Sequence, residues 1–346
     1  MIKRGTCEFG LKVSLAGAAG AAGAILYNNV AGELSGTLGS PKRETGPYVP
    51  AGSLSLEDGT KVLAALAAGP VTGNVFVKAL NEKRYTSNVI ATSKQGDQKN
   101  VIAAGGHTDS VTAGPGINDD GSGAVGLLEL ALQLTQFRLK NAVRFGFWTA
   151  EEYGLVGSEH YVAALNAQET AAIALYLNAD MIASPNFGYF IYDGDGSAFN
   201  ITGPKGSDHI EHLFESYFAS IGVRTAPTAF DGRSDYGPFL DVGIPNGGLF
   251  TGAEGKKTAE QAAWWGGKAG EAYDPNYHAA GDTIANLAVG AWVVNVKALA
   301  HAIAVYSNDL AGIPRGLPAK RSALHKKQAE PDVRRHSACS HEVLSI

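Results

Sequence analysis

The sequence is poor in cysteine: only Cys7 and Cys339 occur among 346 residues, at opposite ends of the chain. A framework of several disulfides and a cysteine-rich metal site are therefore excluded, so any metal must be bound through oxygen and nitrogen. Charged residues make up only 18% of the chain and the net charge is −5. This balance offers no broad basic surface, which predicts that nucleic acid is not a partner. No unbroken run of 18 apolar residues occurs, and so no membrane span is predicted.

The apolar content is sufficient for a real core. Apolar residues make up 45% of the chain, and 346 residues suit one large domain or two modest ones. Near the N-terminus, Lys3 and Arg4 precede an Ala-rich stretch, as they would in a signal peptide. Glu8 and Lys12 interrupt that stretch, however. We therefore predict no signal peptide and interpret the segment as folded protein.

The first 82 residues read as a small α/β unit. Residues 9–22 repeat small and apolar side chains at helical spacing, and residues 24–27 read as a strand that enters a turn. The Gly- and Pro-rich region 34–52 reads as loops, and residues 56–68 as a helix. Strands are predicted at 75–79 and 86–92, with a domain boundary near residue 83.

Beyond residue 83, apolar strands alternate with longer helices. The runs 101–104, 143–148 and 173–177 are almost entirely apolar, which is typical of strands covered on both faces. Helices are predicted at 122–136, 154–165, 208–221 and 289–310. We therefore expect a three-layer α/β/α sandwich with a mostly parallel central sheet over residues 83–312. The basic tail, residues 313–346, has little apolar periodicity and is predicted to be disordered.

Potential metal ligands follow each buried strand. They are His107 and Asp109 after the first, Glu151 and Glu152 after the second, and Asp180 after the third, with Asp119 in the loop before the helix at 122. The carboxyl ends of parallel strands meet at one edge of a sheet. So many carboxylates would repel one another unless cations neutralised them, and imidazole with carboxylate suits a pair of divalent metals. Each feature alone also has an ordinary interpretation: an isolated histidine, a helix start with two acids, or a capped turn.

Five stretches together resemble a known family. GGHTDSVTAGPGINDDGSG, FGFWTAEEYGLVGSEHYV, LNADMIASPN, FDGRSDYGPF and YDPNYHAAGDT are similar to the M28 family of co-catalytic zinc aminopeptidases. The resemblance covers about 210 residues of the chain. It implies two zinc ions: one bound by His107 and Asp180, the other by Glu152 and His278, with Asp119 bridging them.

The resemblance also implies roles for six further residues. Glu151 would be the general base, and Asp109 would orient the His107 imidazole. Tyr277 would hydrogen-bond the developing oxyanion, although a buried structural tyrosine is the alternative. Met181 and Phe250 would line a hydrophobic side-chain pocket, and Arg233 would lie near the substrate, although a structural ion pair is the competing interpretation. Peptides with a free N-terminus would be the substrates of a monomeric enzyme. A carboxypeptidase or deacylase on the same scaffold, or a non-catalytic homologue, are the alternatives.

Two departures from the family pattern matter. The family commonly has two cysteines around the last histidine, where this chain has Asn276 and Gly281. We therefore expect an intact site on a less rigid loop. In addition, the opening segment RGTCEFGLKVSLAGAAGAAGAILYNN resembles part of a protease-associated domain, so residues 1–82 are interpreted as a partial domain whose natural start lies upstream of Met1. Family resemblance implies secretion or vacuolar delivery.

Overall fold

The computed structural model describes residues 1–315 except positions 6, 35, 37, 40, 41 and 79–83. The described chain divides into two compact units between Arg84 and Tyr85. The predicted disorder of the tail falls almost wholly outside these residues. Residues 75–78 form no strand, contrary to the prediction for 75–79.

The first unit contains a three-stranded sheet and two helices. Strands β1 (Ile2–Lys3), β2 (Ala24–Tyr27) and β3 (Ala51–Leu54) are parallel and lie in that order. The helices are α1 (Phe9–Ala18) and α2 (Leu56–Ala68). Helix α1 is shorter than predicted because Gly20, at φ 81°, takes a left-handed conformation that ends the helical path. At the start of α2, Ser55 accepts a hydrogen bond from Asp58 N, so this helix has the predicted bounds.

The second unit contains a seven-stranded mixed sheet. Its strands are β4 (Val89–Thr92), β5 (Asp97–His107), β6 (Asn141–Trp148), β7 (Ile173–Ala179), β8 (Phe190–Tyr192), β9 (Ala226–Thr228) and β10 (Asn246–Phe250). The order is β4-β6-β5-β7-β10-β8-β9. The four central strands, β6, β5, β7 and β10, are parallel to one another, whereas β4 pairs antiparallel with β6 and β8 pairs antiparallel with β10. The expected mainly parallel centre is confirmed.

Helices cover both faces of this sheet. They are α3 (Gly121–Leu134), α4 (Val156–Ala164), α5 (Ala167–Ala172), α6 (Ser207–Ser220), α7 (Tyr236–Asp241), α8 (Ala259–Trp265) and α9 (Val289–Asn308), with a 3-10 turn at Ile284–Asn286. Successive residues of β7 enter different cores, because side chains alternate across a strand. Leu175 and Leu177 pack in the core with α3, α6 and α9, and Tyr176 packs in the core with α4 and α7. The three-layer expectation is thus confirmed.

Helix α9 is long and apolar enough to cross a membrane by length and composition alone. In the fold it packs on the sheet and against α3 and α6. Ala298, Leu299, Ala302 and Tyr306 are fully buried in that core. The apolar character of α9 is therefore accounted for by packing within the protein.

Candidate metal centre

The carboxyl ends of three central strands place the predicted ligands together. His107 is the last residue of β5 and pairs in register with Trp148, the last residue of β6. Gly105 of β5 pairs with Asn178, near the end of β7. Glu151 and Glu152 follow β6, and Asp180 follows β7. Strand register thus delivers these side chains to one edge of the sheet, as expected from the sequence.

Asp119 lies between the two histidines. Its Oδ1 is 3.0 Å from His107 Nε2, and its Oδ2 is 3.2 Å from His278 Nε2. Each oxygen of one carboxylate therefore faces a different imidazole. This arrangement suits a carboxylate that bridges two cations.

Each histidine has a second carboxylate beside it. Asp180 Oδ1 lies 3.8 Å from His107 Nε2, and Glu152 Oε2 lies 2.9 Å from His278 Nε2. Asp119, Glu152 and His278 can place one ligand atom each within 4.8 Å of one another. Glu152 Oε1 is buried and accepts no hydrogen bond, which is costly for a carboxylate oxygen unless a cation is beside it.

Asp120 also lies within ligand distance of His107 and Asp180. Both of its oxygens are already used by backbone donors, however. Oδ2 accepts from His107 N at 3.0 Å, and Oδ1 accepts from Gly123 N at 2.9 Å and Met181 N at 3.1 Å. Asp120 therefore ties β5, α3 and the end of β7 together rather than offering a free metal ligand.

The His107 ring is oriented by its other nitrogen. Nδ1 lies 3.1 Å from the main-chain carbonyl of Asp109 and 3.6 Å from its carboxylate. Since a carbonyl can only accept, Nδ1 carries a proton, so Nε2 is the nitrogen that can present a lone pair to a cation once it has lost the proton that it donates to Asp119. Although burial opposes it, the hydrogen bonds with Asp109 and Asp119 raise the pKa of His107 well above its ordinary value.

The Asp109 carboxylate also fixes the loop that follows β6. Its Oδ1 accepts from Glu151 N at 2.9 Å and its Oδ2 from Glu152 N at 3.3 Å. One aspartate thus sets both the imidazole of His107 and the backbone of the two glutamates. The orienting role predicted for Asp109 would therefore extend from the His107 imidazole to the loop that carries both glutamates.

The Glu151 side chain is only 10% exposed, and its Oε2 lies 3.9 Å from His107 Nε2. Burial, with the charges of Asp180, Asp235 and Glu152, raises the pKa of Glu151 to about 9. The carboxyl group can therefore carry a proton at neutral pH while no cation is near. Positive charge nearby would lower that pKa.

A chain of two hydrogen bonds, from Asn178 through Ser234, holds the Asp180 carboxylate. Ser234 donates to Asp180 Oδ2 at 2.5 Å, and Asn178 Nδ2 donates to Ser234 Oγ at 2.8 Å. Burial raises the pKa of Asp180 to about 6. The next residue after Ser234, Asp235, is also buried, and it accepts from Ser158 Oγ at 2.5 Å. Both carboxylates are therefore fixed in one orientation.

The segment that carries His278 is fixed by a buried polar network. Asp282 accepts from Asn118 N at 2.8 Å and from Asp119 N at 3.1 Å, so it holds the backbone of the bridging residue. Asn286 Nδ2 donates to Asp274 and Asp282 at 2.9 to 3.1 Å. These bonds link the ligand loop before α3 with the segment 274–286.

Tyr277 and Arg233 lie at the mouth of the site. Arg233 pairs with both oxygens of Glu254, at 2.9 and 3.3 Å, and donates to Tyr277 Oη at 3.2 Å. The Tyr277 ring stacks on His278 at 3.8 Å between centroids. Burial and the charge of Asp119 raise the pKa of Tyr277, so its hydroxyl stays protonated and can donate. The structural ion pair considered for Arg233 does exist.

A cavity of about 500 Å³, its open mouth included, adjoins the cluster. Met181 and Phe250 line it, together with Tyr192, Ala229 and Ala253. The polar part of the wall contains most of the other predicted site residues: Asp119, Glu151, Glu152, Asp180, Arg233, Tyr277 and His278. His107 and Asp109 lie outside the lining. One pocket therefore joins an apolar wall to the carboxylates and His278.

The donor set fits zinc. Two imidazoles and three carboxylates, with no sulfur among them, are ligands that zinc accepts, and two-metal hydrolytic sites use a shared carboxylate. Two observations support a cation here. Glu152 Oε1 has no hydrogen-bond donor, and the two oxygens of Asp119 face different histidines.

Sequence reasoning missed the supporting residues. Asp120 and Ser234 lie within motifs that were already in view, so proximity to a ligand could have indicated their supporting roles. Asp274, Asp282 and Asn286 lie in an irregular segment, where their types are typical of any turn. Only the fold shows that they are buried.

Comparisons with known proteins agree with this geometry. Residues 88–303 match peptidase family M28, and residues 1–62 match the PA domain. The chain is 57% identical over 327 residues to a probable leucine aminopeptidase 2 of Aspergillus oryzae, covering 94% of this chain and 66% of that protein. It is 54% identical over 314 residues to leucine aminopeptidase 2 of Trichophyton rubrum, covering 91% and 63%. The chain thus spans about two thirds of the length of these relatives.

Solved structures show the same fold. An aminopeptidase from Aneurinibacillus sp. strain AM-1 is 28% identical, with a TM-score of 0.66, over 92% of this chain and 70% of that one. A zinc aminopeptidase from Bacillus subtilis is 23% identical, with a TM-score of 0.62, over 90% and 72%. At 23% identity, the similarity to the Bacillus subtilis enzyme shows only that the two chains share a fold.

Proposed function

The chain belongs to peptidase family M28, and we propose that it is a two-zinc aminopeptidase that removes apolar residues from the N-terminus of peptides. The observation that carries this proposal is the position of Asp119. Its two oxygens face His107 and His278, with Asp180 and Glu152 beyond them. The names of the similar fungal proteins support the same reaction.

In this proposal His107 and Asp180 hold one zinc ion, Glu152 and His278 hold the other, and Asp119 is shared. Bound zinc supplies Lewis acidity for a peptide carbonyl and lowers the pKa of water toward neutrality. The remaining chemistry comes from side chains of this chain.

Glu151 is the proposed proton carrier. Its backbone is fixed by Asp109, and its side chain lines the pocket. It takes a proton from the attacking water and passes that proton to the leaving amine nitrogen. A buried glutamate whose pKa rises to about 9 without metal has a strong affinity for that proton.

Tyr277 is proposed to donate a hydrogen bond to the carbonyl oxygen as negative charge develops there. Arg233 holds the Tyr277 hydroxyl from the solvent side, and Glu254 holds the guanidinium. Arg233 is therefore a positioning residue in this proposal. It can form the structural ion pair with Glu254 and still lie near the substrate.

The cavity indicates the preferred substrate. Met181, Tyr192 and Phe250 form its apolar wall next to the carboxylates. An apolar side chain of the first residue would bury its surface there, at about 25 cal/mol per Å² removed from water. We therefore propose a preference for leucine-like residues over acidic ones.

The test compares leucine anilide with N-acetyl-leucine anilide and with a peptide blocked at its C-terminus. We expect the zinc-loaded chain to cleave the free-amine anilide and the C-terminally blocked peptide, but to leave the acetylated anilide intact. Removal of the acetyl group from the acetylated compound would support a deacylase. Cleavage that depends on a free C-terminus would support a carboxypeptidase. No cleavage by a folded chain that holds two zinc ions would support a non-catalytic homologue.

Other properties of the whole protein remain predictions. Secretion or vacuolar delivery, a monomeric state and the absence of nucleic-acid and membrane partners rest on composition and resemblance. The assignment of residues 1–82 to a protease-associated domain and 83–312 to the peptidase domain is likewise proposed.

A further inference from the structure

A second group of carboxylates lies apart from the zinc ligands, where the chain leaves β8 and meets α6. Asp193 follows β8 directly, Asp195 lies two residues later, and Glu211 projects from α6. Each offers one oxygen, and the three oxygens lie within 4.8 Å of one another. Neither the proposed reaction nor its substrate pocket uses these groups.

The Asp193 side chain is the strongest indication of a ligand. It is completely buried, and its Oδ2 accepts from Ala198 N at 3.1 Å and Phe199 N at 2.9 Å. Its Oδ1 is also buried but accepts no hydrogen bond. A buried carboxylate oxygen without a donor costs more free energy than one that is paired.

Glu211 is 4% exposed and faces the same point. Its Oε2 accepts from Gly194 N at 2.8 Å and Asp195 N at 3.1 Å. Burial and the charges of Asp195 and Asp193 raise the pKa of Glu211 despite these hydrogen bonds. None of the ion pairs found among the described residues brings a Lys or Arg to this group.

We propose that Asp193, Asp195 and Glu211 bind one hard divalent cation of the calcium class, separate from the zinc centre. All three donors are carboxylate oxygens, without imidazole or sulfur, which favours calcium over zinc. Calcium commonly takes six to eight oxygens, so main-chain carbonyls or water would complete the shell. The alternation Asp-Gly-Asp-Gly-Ser at 193–197 leaves the backbone close to these carboxylates.

The position of this site suggests what the cation does. Asp193 is the immediate neighbour of Tyr192, which ends β8 and lines the proposed substrate pocket. A cation shared by Asp193 and Glu211 would fasten the end of β8 to α6 through ligands on both elements. Its role is therefore structural support for one wall of the pocket, without a part in proton transfer.

Thermal unfolding of the zinc-loaded chain, in chelator-free buffer with and without CaCl₂, tests this proposal. We expect the Tm to rise by roughly 5 to 10 °C at a hundredfold excess of calcium over its Kd. Calorimetric titration should give one calcium per chain. Asp195→Asn and Glu211→Gln should abolish the rise and leave the zinc content unchanged.

The matched control is Glu215→Gln, which removes the same charge from an exposed position on the same helix. It should keep the full calcium effect. Without calcium, Asp195→Asn should leave the Tm equal or higher, because it relieves repulsion among the carboxylates. A purely structural loop residue would instead lower the Tm equally with and without calcium, and that result would overturn the proposal. So would a calcium shift that persists in Asp195→Asn, or no shift in the unsubstituted chain.

Discussion

Asn276 occupies the space that a side chain at position 281 would need, since a Cβ on Gly281 would lie 2.2 Å from Asn276 Oδ1. From there, Asn276 Nδ2 donates to Asn286 Oδ1 at 2.7 Å. Positions 276 and 281 are the two where the family commonly has a cysteine pair. A hydrogen bond into a buried polar network therefore stands where the family commonly has a covalent clamp.

Gly281→Ala should loosen this loop. The added methyl group displaces the Asn276 amide, which breaks its bond to Asn286 and disturbs the segment that carries His278. Overpacking of this kind costs about 1–3 kcal/mol. We expect a lower Tm and reduced zinc retention after dialysis. Gly255→Ala is the control, because its Cβ meets only Tyr273, at 3.6 Å and beyond; equal zinc loss in both variants would contradict the prediction.

Glu151→Gln should separate catalysis from metal binding. Glu151 is the proposed proton carrier but not a ligand, so zinc content should stay at the unsubstituted level. The value of kcat should fall by about 10²–10⁴-fold. Glu159→Gln, which changes an exposed glutamate on α4, controls for the charge. Activity within tenfold of the unsubstituted chain would refute the role given to Glu151.

The two zinc positions should differ in how fast they exchange metal. The His107 side chain is 1% exposed, whereas the His278 side chain is 36% exposed. A limiting amount of chelator should therefore remove the ion beside Glu152 and His278 first. His278→Ala should reduce zinc to about one ion per chain, measured by elemental analysis. Loss of both ions together, at a single rate, would argue against this difference.

The metal-free chain should become less stable as pH rises. The pKa of Glu151 is raised to about 9, so the folded state binds more protons than the unfolded state between about pH 4.5 and 9. The pKa of His278 is raised to about 10 by Asp119 and Glu152 against the effect of burial. Its contribution to stability is complete below about pH 6.5 and is lost as pH approaches 10.

Zinc binding should show the opposite pH dependence. The histidines and Glu151 must lose protons, so zinc should release about three protons per chain at pH 7 and bind more tightly at higher pH. Tm measurements across pH, with and without zinc, and titration calorimetry in buffers of different ionisation enthalpy check both statements. Glu151→Gln should reduce the release by about one proton. A metal-free Tm that rises from pH 6 to 9 would contradict the assignment.

The sequence was most informative where one physical signal dominated. The apolar runs that contain Val101, Val143 and Ile173 could be located because both faces of those strands are buried. The carboxyl ends of these strands then indicated where His107, Glu152 and Asp180 lie. Helix α2 could be bounded closely because Ser55 caps its start.

The sequence was least informative where contacts are distant. Strand β10 has two glycines among its five residues and shows no apolar alternation, so it was not predicted. Gly247 and Gly248 are needed there because Cβ atoms would meet Ile210 and Asn178 at 2.2 and 2.3 Å. The buried roles of Asp274 and Asp282 depend on partners more than 150 residues away, namely Asn118 and Asp119.

The bridging role proposed for Asp119 also has a consequence for synthesis of the chain. His107 and Asp119 leave the ribosome early, but His278 follows only after most of the second unit has been translated. Until then, the clustered carboxylates have His107 but not His278 beside them. The proposed cation position at Glu152 and His278 is therefore incomplete. The proposed metal centre is therefore completed late, when the chain has been synthesised as far as the segment that carries His278, just before the last core helix.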